Sequence, residues 1–97
     1  MFWFDSPEYL RGMATVRSYS DEVWNETKQA KALTSRSFSE NTAANAFVHM
    51  GIAVQTLISL QQLCPAFIQP HDLNELRELI INTQLELSSW ALSCMLE

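Results

Sequence analysis

Residues 37–64 read SFSENTAANAFVHMGIAVQTLISLQQLC, and this stretch decides the fold of the chain. From residue 41 to residue 70 there is no Asp, Glu, Lys or Arg, although charged residues are spread over the rest of the 97-residue sequence. Apolar residues recur here at intervals of three and four, which is the spacing of one helical face. They are Ala43, Phe47, Met50, Val54, Leu57 and Leu60. A helix that is apolar on most sides is usually buried, so we expect a central helix over about residues 38–64, covered by its neighbours.

A helix is predicted on each side of the central one. Ser6 followed by Pro7 is a strong N-terminal signal, which places the first helix over about residues 7–34. The Ser-rich segment 18–20 predicts a kink or a short break in this helix, because Ser and Asp side chains compete for backbone hydrogen bonds. The last helix is expected over about residues 73–95, with Asp72 and Glu75 at the spacing of a capping box.

The proline-bracketed segment Cys64-Pro65-Ala66-Phe67-Ile68-Gln69-Pro70 connects the second and third helices. Such a short connection predicts that these helices are antiparallel neighbours. If Cys64 lies opposite Asp72, Phe47 faces Trp90 in the resulting hairpin. Ser37 and Glu40 also have capping-box spacing and are expected to cap the central helix. The sequence therefore predicts an all-α fold, a small antiparallel three-helix bundle, in a single domain over residues 1–97.

The apolar residues of the last helix form two stripes. One contains Leu73, Leu76, Ile80, Leu87, Ala91 and Cys94. The other contains Ile81, Leu85, Leu92 and Leu96. Two stripes indicate that this helix makes contacts on two sides. Trp24 and Trp90 are expected in the core.

The net charge of −5 disfavours nucleic-acid binding, which needs a basic surface. Residues 71–97 carry five acidic residues against one basic residue, Arg77. The start of the chain has no basic segment followed by a long apolar one, so a cytoplasmic location with reduced cysteines is expected. Polar residues interrupt the central apolar run, which argues against a membrane span of about 20 apolar residues.

Few residues suggest chemistry. His49, His71, Cys64 and Cys94 lack the close spacing that brings metal ligands together. No Ser/His/acid or Cys/His set is placed together by helical spacing, and two glycines are too few for a phosphate-binding loop. The sequence therefore predicts a protein that is not an enzyme and has no cofactor and no metal.

Contact with other proteins is the remaining role, and aromatic residues outside the helical stripes are its candidates. The predicted partner-binding residues are Phe2, Trp3, Phe4, Pro65, Phe67, Ile68 and Pro70. Two alternatives stay open: the N-terminal aromatic residues fold back over the bundle, and the connector closes one end of it. A prolyl isomerase could also bind the Pro65–Pro70 loop.

The hairpin SENTAANAFVHMGIAVQTLISLQQLC…HDLNELRELIINTQLELSSW and the connector CPAFIQP, in a small acidic helical chain, resemble the second anti-RecBCD protein family of lambdoid Salmonella phages. The resemblance implies a phage accessory protein in the host cytoplasm that binds the RecBCD nuclease-helicase and inhibits or modulates it, without being an enzyme. Two alternatives are a small acidic chaperone or adaptor that shields an apolar segment of a client, and a subunit of a helical homo-oligomer.

Overall fold

A computed structural model of the protein describes residues 6–96 and contains three α-helices. Helix α1 spans Pro7–Leu33, α2 spans Glu40–Gln61 and α3 spans Pro70–Met95. Residues 6–96 include no β-strand. The predicted all-α fold with three helices is confirmed.

The helices run up, down and up. The N-terminal part of α1 lies beside the start of α3, where Tyr9 and Asp72 line one groove. Towards its C-terminal end α1 reaches Glu86 of α3, whose carboxylate lies 3.8 Å from the ammonium group of Lys31. Because these contacts advance together along both chains, α1 and α3 are parallel and α2 is antiparallel to them.

The core is formed by all three helices and by one connector residue. Its buried apolar residues are Val23, Ala30, Ala46, Met50, Ala53, Leu57, Leu60, Ile68, Leu73, Leu76, Ile80 and Leu87. The alanines among them are fully buried, and side chains this small allow helices to approach closely. Helix α1 contacts α2 more extensively than α3 contacts either of them. The bundle is therefore a close α1–α2 pair with α3 packed more loosely against it.

The N-terminal caps agree with the sequence at α1 and differ at α2 and α3. Ser6 accepts a hydrogen bond from the backbone N–H of Tyr9, as predicted. At α2 the cap is Ser39, not Ser37, because Phe38 lies outside the helix and packs its ring against α3. Helix α3 begins at Pro70, and its N-cap Gln69 makes no side-chain hydrogen bond. The predicted Asp72 cap is therefore wrong: proline starts the helix with its φ angle already fixed, and Asp72 lies within the first turn.

The predicted break at residues 18–20 is also wrong, since α1 is continuous from Pro7 to Leu33. Val16, before this segment, and Tyr19, within it, pack against the core, and Val23 after it is fully buried. This burial on one face holds the helix through the serines, so tertiary packing outweighs their local preference for caps.

The structure changes the predicted hairpin register. Trp90 packs edge-on against Phe38, with ring centroids 5.3 Å apart, whereas Phe47 is 37% exposed. Helix α2 ends at Gln61, before its predicted end at residue 64, and α3 starts at Pro70, before its predicted start at residue 73, so the connector is shifted towards α2 and is no longer than predicted. The aromatic contact of Trp90 consequently moves to the chain just before α2.

Candidate functional site

The predicted partner-binding residues lie in different environments. Phe2, Trp3 and Phe4 lie outside the described residues. Pro65 and Pro70 are exposed, and the Cys64–Pro65 peptide bond is cis. Ile68 is 4% exposed and belongs to the core, which removes it from the surface available to a partner.

Phe67 connects the predicted site to α1. Its ring lies directly over Gly12, where a Cβ atom would overlap the ring carbons. The ring of Tyr9 lies beside it, with centroids 6.2 Å apart and planes inclined by 40°. The connector therefore packs against the N-terminal half of α1, and the absence of a side chain at Gly12 permits this close approach. The packing of Phe67 and Ile68 therefore agrees with the alternative that the connector closes one end of the bundle.

A groove of about 400 Å³ opens above this contact between α1, the connector and α3. We call it the lower groove. Its walls are formed by Tyr9, Met13, Val16, Ser20, Trp24, Ala66, Phe67, Ile68, Gln69, Asp72, Glu75 and Leu76. The structure thus brings Phe67 together with apolar side chains of α1 and α3 that are distant in sequence.

A second groove, which we call the upper groove, continues between α1 and α3 and measures about 480 Å³. It is lined by Asp21, Trp24, Asn25, Thr27, Lys28, Lys31 and Leu79. Trp24 lines both grooves and is 56% exposed. Its indole is therefore a large exposed apolar surface at the point where the two grooves meet.

The placement of Trp24 corrects the prediction that it is a core residue. Val23 and Thr27 take the buried positions of this part of α1. The sequence carried a signal for the difference, because Asp21 and Lys28 lie three residues before and four residues after Trp24, on the same face of the helix. A tryptophan with charged neighbours at those spacings lies at the border of the apolar stripe.

Charge varies along the two grooves. Asp72 and Glu75 line the lower groove, near the connector. Lys28 and Lys31 line the upper groove, where Lys31 also pairs with Glu86 of α3. The site therefore has an acidic end and a basic end with an exposed indole between them.

Polar side chains elsewhere pair with one another. Nδ1 of His49 on α2 lies 2.5 Å from the Glu26 carboxylate on α1, and both side chains are largely buried. His71, Asp72 and Glu75 place possible ligand atoms within 4.8 Å of one another, a grouping that the sequence analysis missed, although His-Asp-x-x-Glu at a helix start could have indicated it. All three are exposed, and His71 pairs with Glu75 at 3.1 Å, so a surface ion pair accounts for the arrangement.

Within residues 6–96 the hydrogen bonds of the serine and threonine hydroxyls involve no histidine and no carboxylate. Ser6, Thr15, Thr27, Thr34, Ser35, Thr56, Ser59 and Thr83 bond through their hydroxyls to backbone atoms, and Ser39 and Thr42 bond to each other. Cys64 and Cys94 are free and half-buried.

Helix α2 has an apolar outer side as well as a buried one. In the described chain it is the one helix long and apolar enough to cross a membrane, and 33% of its most apolar window is buried in the bundle. The exposed apolar residues on it are Phe47, Val48, Ile52, Val54 and Ile58. Together with Ala44 and Gly51 we call these residues the α2 outer face. Core helices and membrane-spanning helices can have the same length and composition, so these two properties do not show what the α2 outer face contacts.

Comparison with protein-family models, with curated proteins and with solved structures gave no match to this chain.

Proposed function

We propose that this protein acts without catalysis, by binding a segment of another protein along the upper and lower grooves between α1 and α3. The observation that carries the proposal is Trp24, a large aromatic side chain that stands half-exposed between two concave surfaces. Tryptophan is among the residues that contribute most to binding energy at protein interfaces. A groove with apolar walls also suits the apolar face of a helix.

The dimensions and charges of the grooves define the kind of segment that fits. From Tyr9 to Lys31 the α1 wall is about 33 Å long at 1.5 Å per residue, which matches a helix of about six turns. Asp72 and Glu75 favour basic residues at the end of that helix near the connector, and Lys28 favours acidic residues at the other end. The occupant we propose is therefore an amphipathic helix with opposite charges at its ends.

The partner that we propose is the host RecBCD nuclease-helicase, as the family resemblance implies, in a bacterial cytoplasm. Binding would inhibit or modulate the nuclease through contact alone. The net charge of −5 disfavours competition for DNA, which supports an effect exerted through the protein subunits. Exposed Pro65 and Pro70 keep a prolyl isomerase as a further predicted partner.

The test is co-elution of the purified protein with RecBCD, together with the nuclease activity and Chi response of the complex. We expect a complex of about one to one, and weakening of at least tenfold with Trp24→Ala, as for a central interface tryptophan. Leu92→Ala is the matched control, because Leu92 is as exposed as Trp24 but lies outside both grooves. Absence of co-elution by the wild-type protein would exclude RecBCD, and equal affinity of both variants would exclude the grooves.

The chaperone or adaptor alternative uses the same grooves with a different occupant. The two grooves and Trp24 would shield an apolar helix of a client that aggregates on its own. A single client that remains soluble only with the wild-type protein, and not with Trp24→Ala, would favour this alternative over RecBCD.

A further inference from the structure

The chain before Ser6 joins α1 at the open end of the lower groove. Ser6 caps α1, and Tyr9, three residues later, is the first residue of α1 that lines this groove. Residues 2–4, which lie outside the described residues, are Phe-Trp-Phe, and we call them the aromatic segment. The sequence leaves two roles open for this segment, contact with a partner and packing against the bundle. The groove beside Ser6 bears on that choice.

The end of the lower groove nearest Ser6 is apolar and aromatic. Phe67 lies over Gly12, and the ring of Tyr9 lies beside it with centroids 6.2 Å apart. Met13, one turn after Tyr9, lines the same groove and is 38% exposed. Aromatic rings pack favourably on one another, and Tyr9 and Phe67 each make a further interaction besides their mutual contact. An uncharged aromatic side chain therefore suits this end of the groove.

The aromatic segment has the right length to reach that end. Ser6 has extended backbone angles, so the chain leaves the helical path there, and residues just before an N-cap often pack back onto the first turn. An extended chain covers about 3.3 Å per residue, so Trp3 can lie up to about 10 Å from Ser6. Met13 lies about 10 Å from Ser6 along α1, whereas Trp24 lies about 27 Å away. The segment can thus reach Met13 but not the upper groove.

We propose that the aromatic segment lies in the lower groove between Tyr9 and Met13 and covers this end until a partner helix displaces it. The segment is tied to α1 by two residues, so it competes for the groove at an effective concentration on the order of millimolar. Its regulation of partner binding rests on the proposed function of the grooves, whereas its position in the lower groove does not.

Charge gives a partner helix the means to displace the aromatic segment. Residues 2–4 are uncharged, whereas Asp72 and Glu75 line the lower groove. The segment therefore offers these carboxylates no cation, and a helix with basic residues at this end does. If the segment covers the groove about nine-tenths of the time, the apparent dissociation constant of the partner is about tenfold higher than for the open groove. The segment thus selects for helices that are both apolar and basic at this end.

Disulfide trapping in the free protein tests the position of the segment and needs no partner. In a Cys64→Ser/Cys94→Ser background, Trp3→Cys with Met13→Cys should form an intramolecular disulfide with oxidised glutathione, since a disulfide needs Cα atoms within about 7 Å. Trp3→Cys with Arg11→Cys is the matched control. Arg11 is exposed and closer to residue 3 in the chain, but it lies about 160° around α1 from Met13. Equal or faster disulfide formation in the control would overturn the proposal.

Binding of the neutral apolar dye Nile red tests whether the segment covers the groove. Phe2→Ser/Trp3→Ser/Phe4→Ser should increase dye binding by about threefold or more, because the open groove becomes fully populated. Adding Met13→Glu to this variant should remove the increase. Unchanged or reduced binding after loss of the three aromatic side chains is the result for a segment that lies in solvent, and it would overturn the proposal.

The matched control for the dye removes three exposed apolar side chains elsewhere. Leu92→Ser/Met95→Ser/Leu96→Ser changes residues at the end of α3 that line neither groove. Dye binding should fall or stay the same in this variant, because these side chains cover no concave surface. An increase equal to that of the N-terminal variant would show that the dye does not report on the groove cover, and would overturn the proposal.

RecBCD binding separates this proposal from the proposed function. Phe2→Ser/Trp3→Ser/Phe4→Ser should bind RecBCD about three- to tenfold more tightly than the wild-type protein, because the partner no longer displaces the segment. Weaker binding would mean that these aromatic residues contact the partner, and would overturn the covering role. If the wild-type protein does not bind RecBCD but the disulfide and dye results are as expected, the proposed partner fails and the position of the segment is supported.

Discussion

Gly12 is the residue at which one added methyl group is expected to matter most. A Cβ there would overlap the ring of Phe67, a connector residue that also packs beside Tyr9 of α1. Gly12→Ala should therefore lower the free energy of unfolding by about 1–3 kcal/mol, the usual cost of overpacking, partly offset by the better helix propensity of alanine. Urea denaturation measures the change.

Gly51→Ala is the control for that prediction. Nothing lies within 4 Å of a Cβ at Gly51, so the added methyl group meets only solvent in the monomer. In dilute solution the free energy of unfolding should rise by up to about 1 kcal/mol through helix propensity. A gain in stability at both glycines would show that Phe67 moves aside freely and that the contact with Gly12 does not hold the connector.

Two glutamates pair with a side chain on another helix. Glu26 of α1 pairs with His49 of α2 and is largely buried, whereas Glu86 of α3 pairs with Lys31 of α1 and is exposed. Glu26→Ala should cost about 1–2 kcal/mol, because it leaves the half-buried His49 side chain without its hydrogen-bond partner. Glu86→Ala removes a solvent-exposed pair with Lys31 and should cost under about 0.5 kcal/mol. Thermal or urea unfolding of the two variants compares them, and equal losses would contradict the assigned difference in burial.

At the scale of elements, the Phe38–Trp90 contact joins the start of α2 to the C-terminal part of α3. A double-mutant cycle with Phe38→Ala and Trp90→Ala should give a coupling energy of about 0.5–1.5 kcal/mol, as for other edge-on aromatic pairs. The cycle of Phe47→Ala with Trp90→Ala should be additive, because Phe47 faces outward. Coupling in the second cycle and additivity in the first would restore the register predicted from the sequence.

The elements show what local sequence determines. Ser6-Pro7 located the start of α1 correctly because a cap and a fixed φ angle act within one turn. The serines at 18 and 20 gave the wrong prediction of a break, because the burial of Val16, Tyr19 and Val23 keeps this part of α1 helical. The apolar spacing of α2 and α3 identified their buried faces but not their axial register, since sliding two helices past each other leaves each stripe in place. In the structure the aromatic partner of Trp90 is Phe38, not the predicted Phe47.

The candidate site combines residues of α1, the connector and α3, and α1 is far from the other two segments in the sequence. The connector was predicted as a binding segment, and Phe67 does reach the lower groove. The rest of that groove comes from α1 and α3, whose loose contact is a property of the packed bundle and has no signature in either helix alone. Trp24 was wrongly assigned to the core because it follows buried Val23 directly and lies one turn before buried Thr27.

The uneven packing of the bundle predicts uneven stability. Helix α1 packs closely on α2, whereas α3 makes fewer contacts with both and exposes Leu92, Met95 and Leu96 in its last turns. Native-state hydrogen exchange should therefore show the slowest amides around Val23 and Ala53, exchanging only through global unfolding. Amides of α3 should exchange through partial opening at a lower free energy, with those after residue 91 close to unprotected. A groove-bound helix would contact α1 and α3 together and should raise the protection of α3 towards that of α2. Equal protection of all three helices in the free protein would mean that the grooves are not a weak boundary between α3 and the rest.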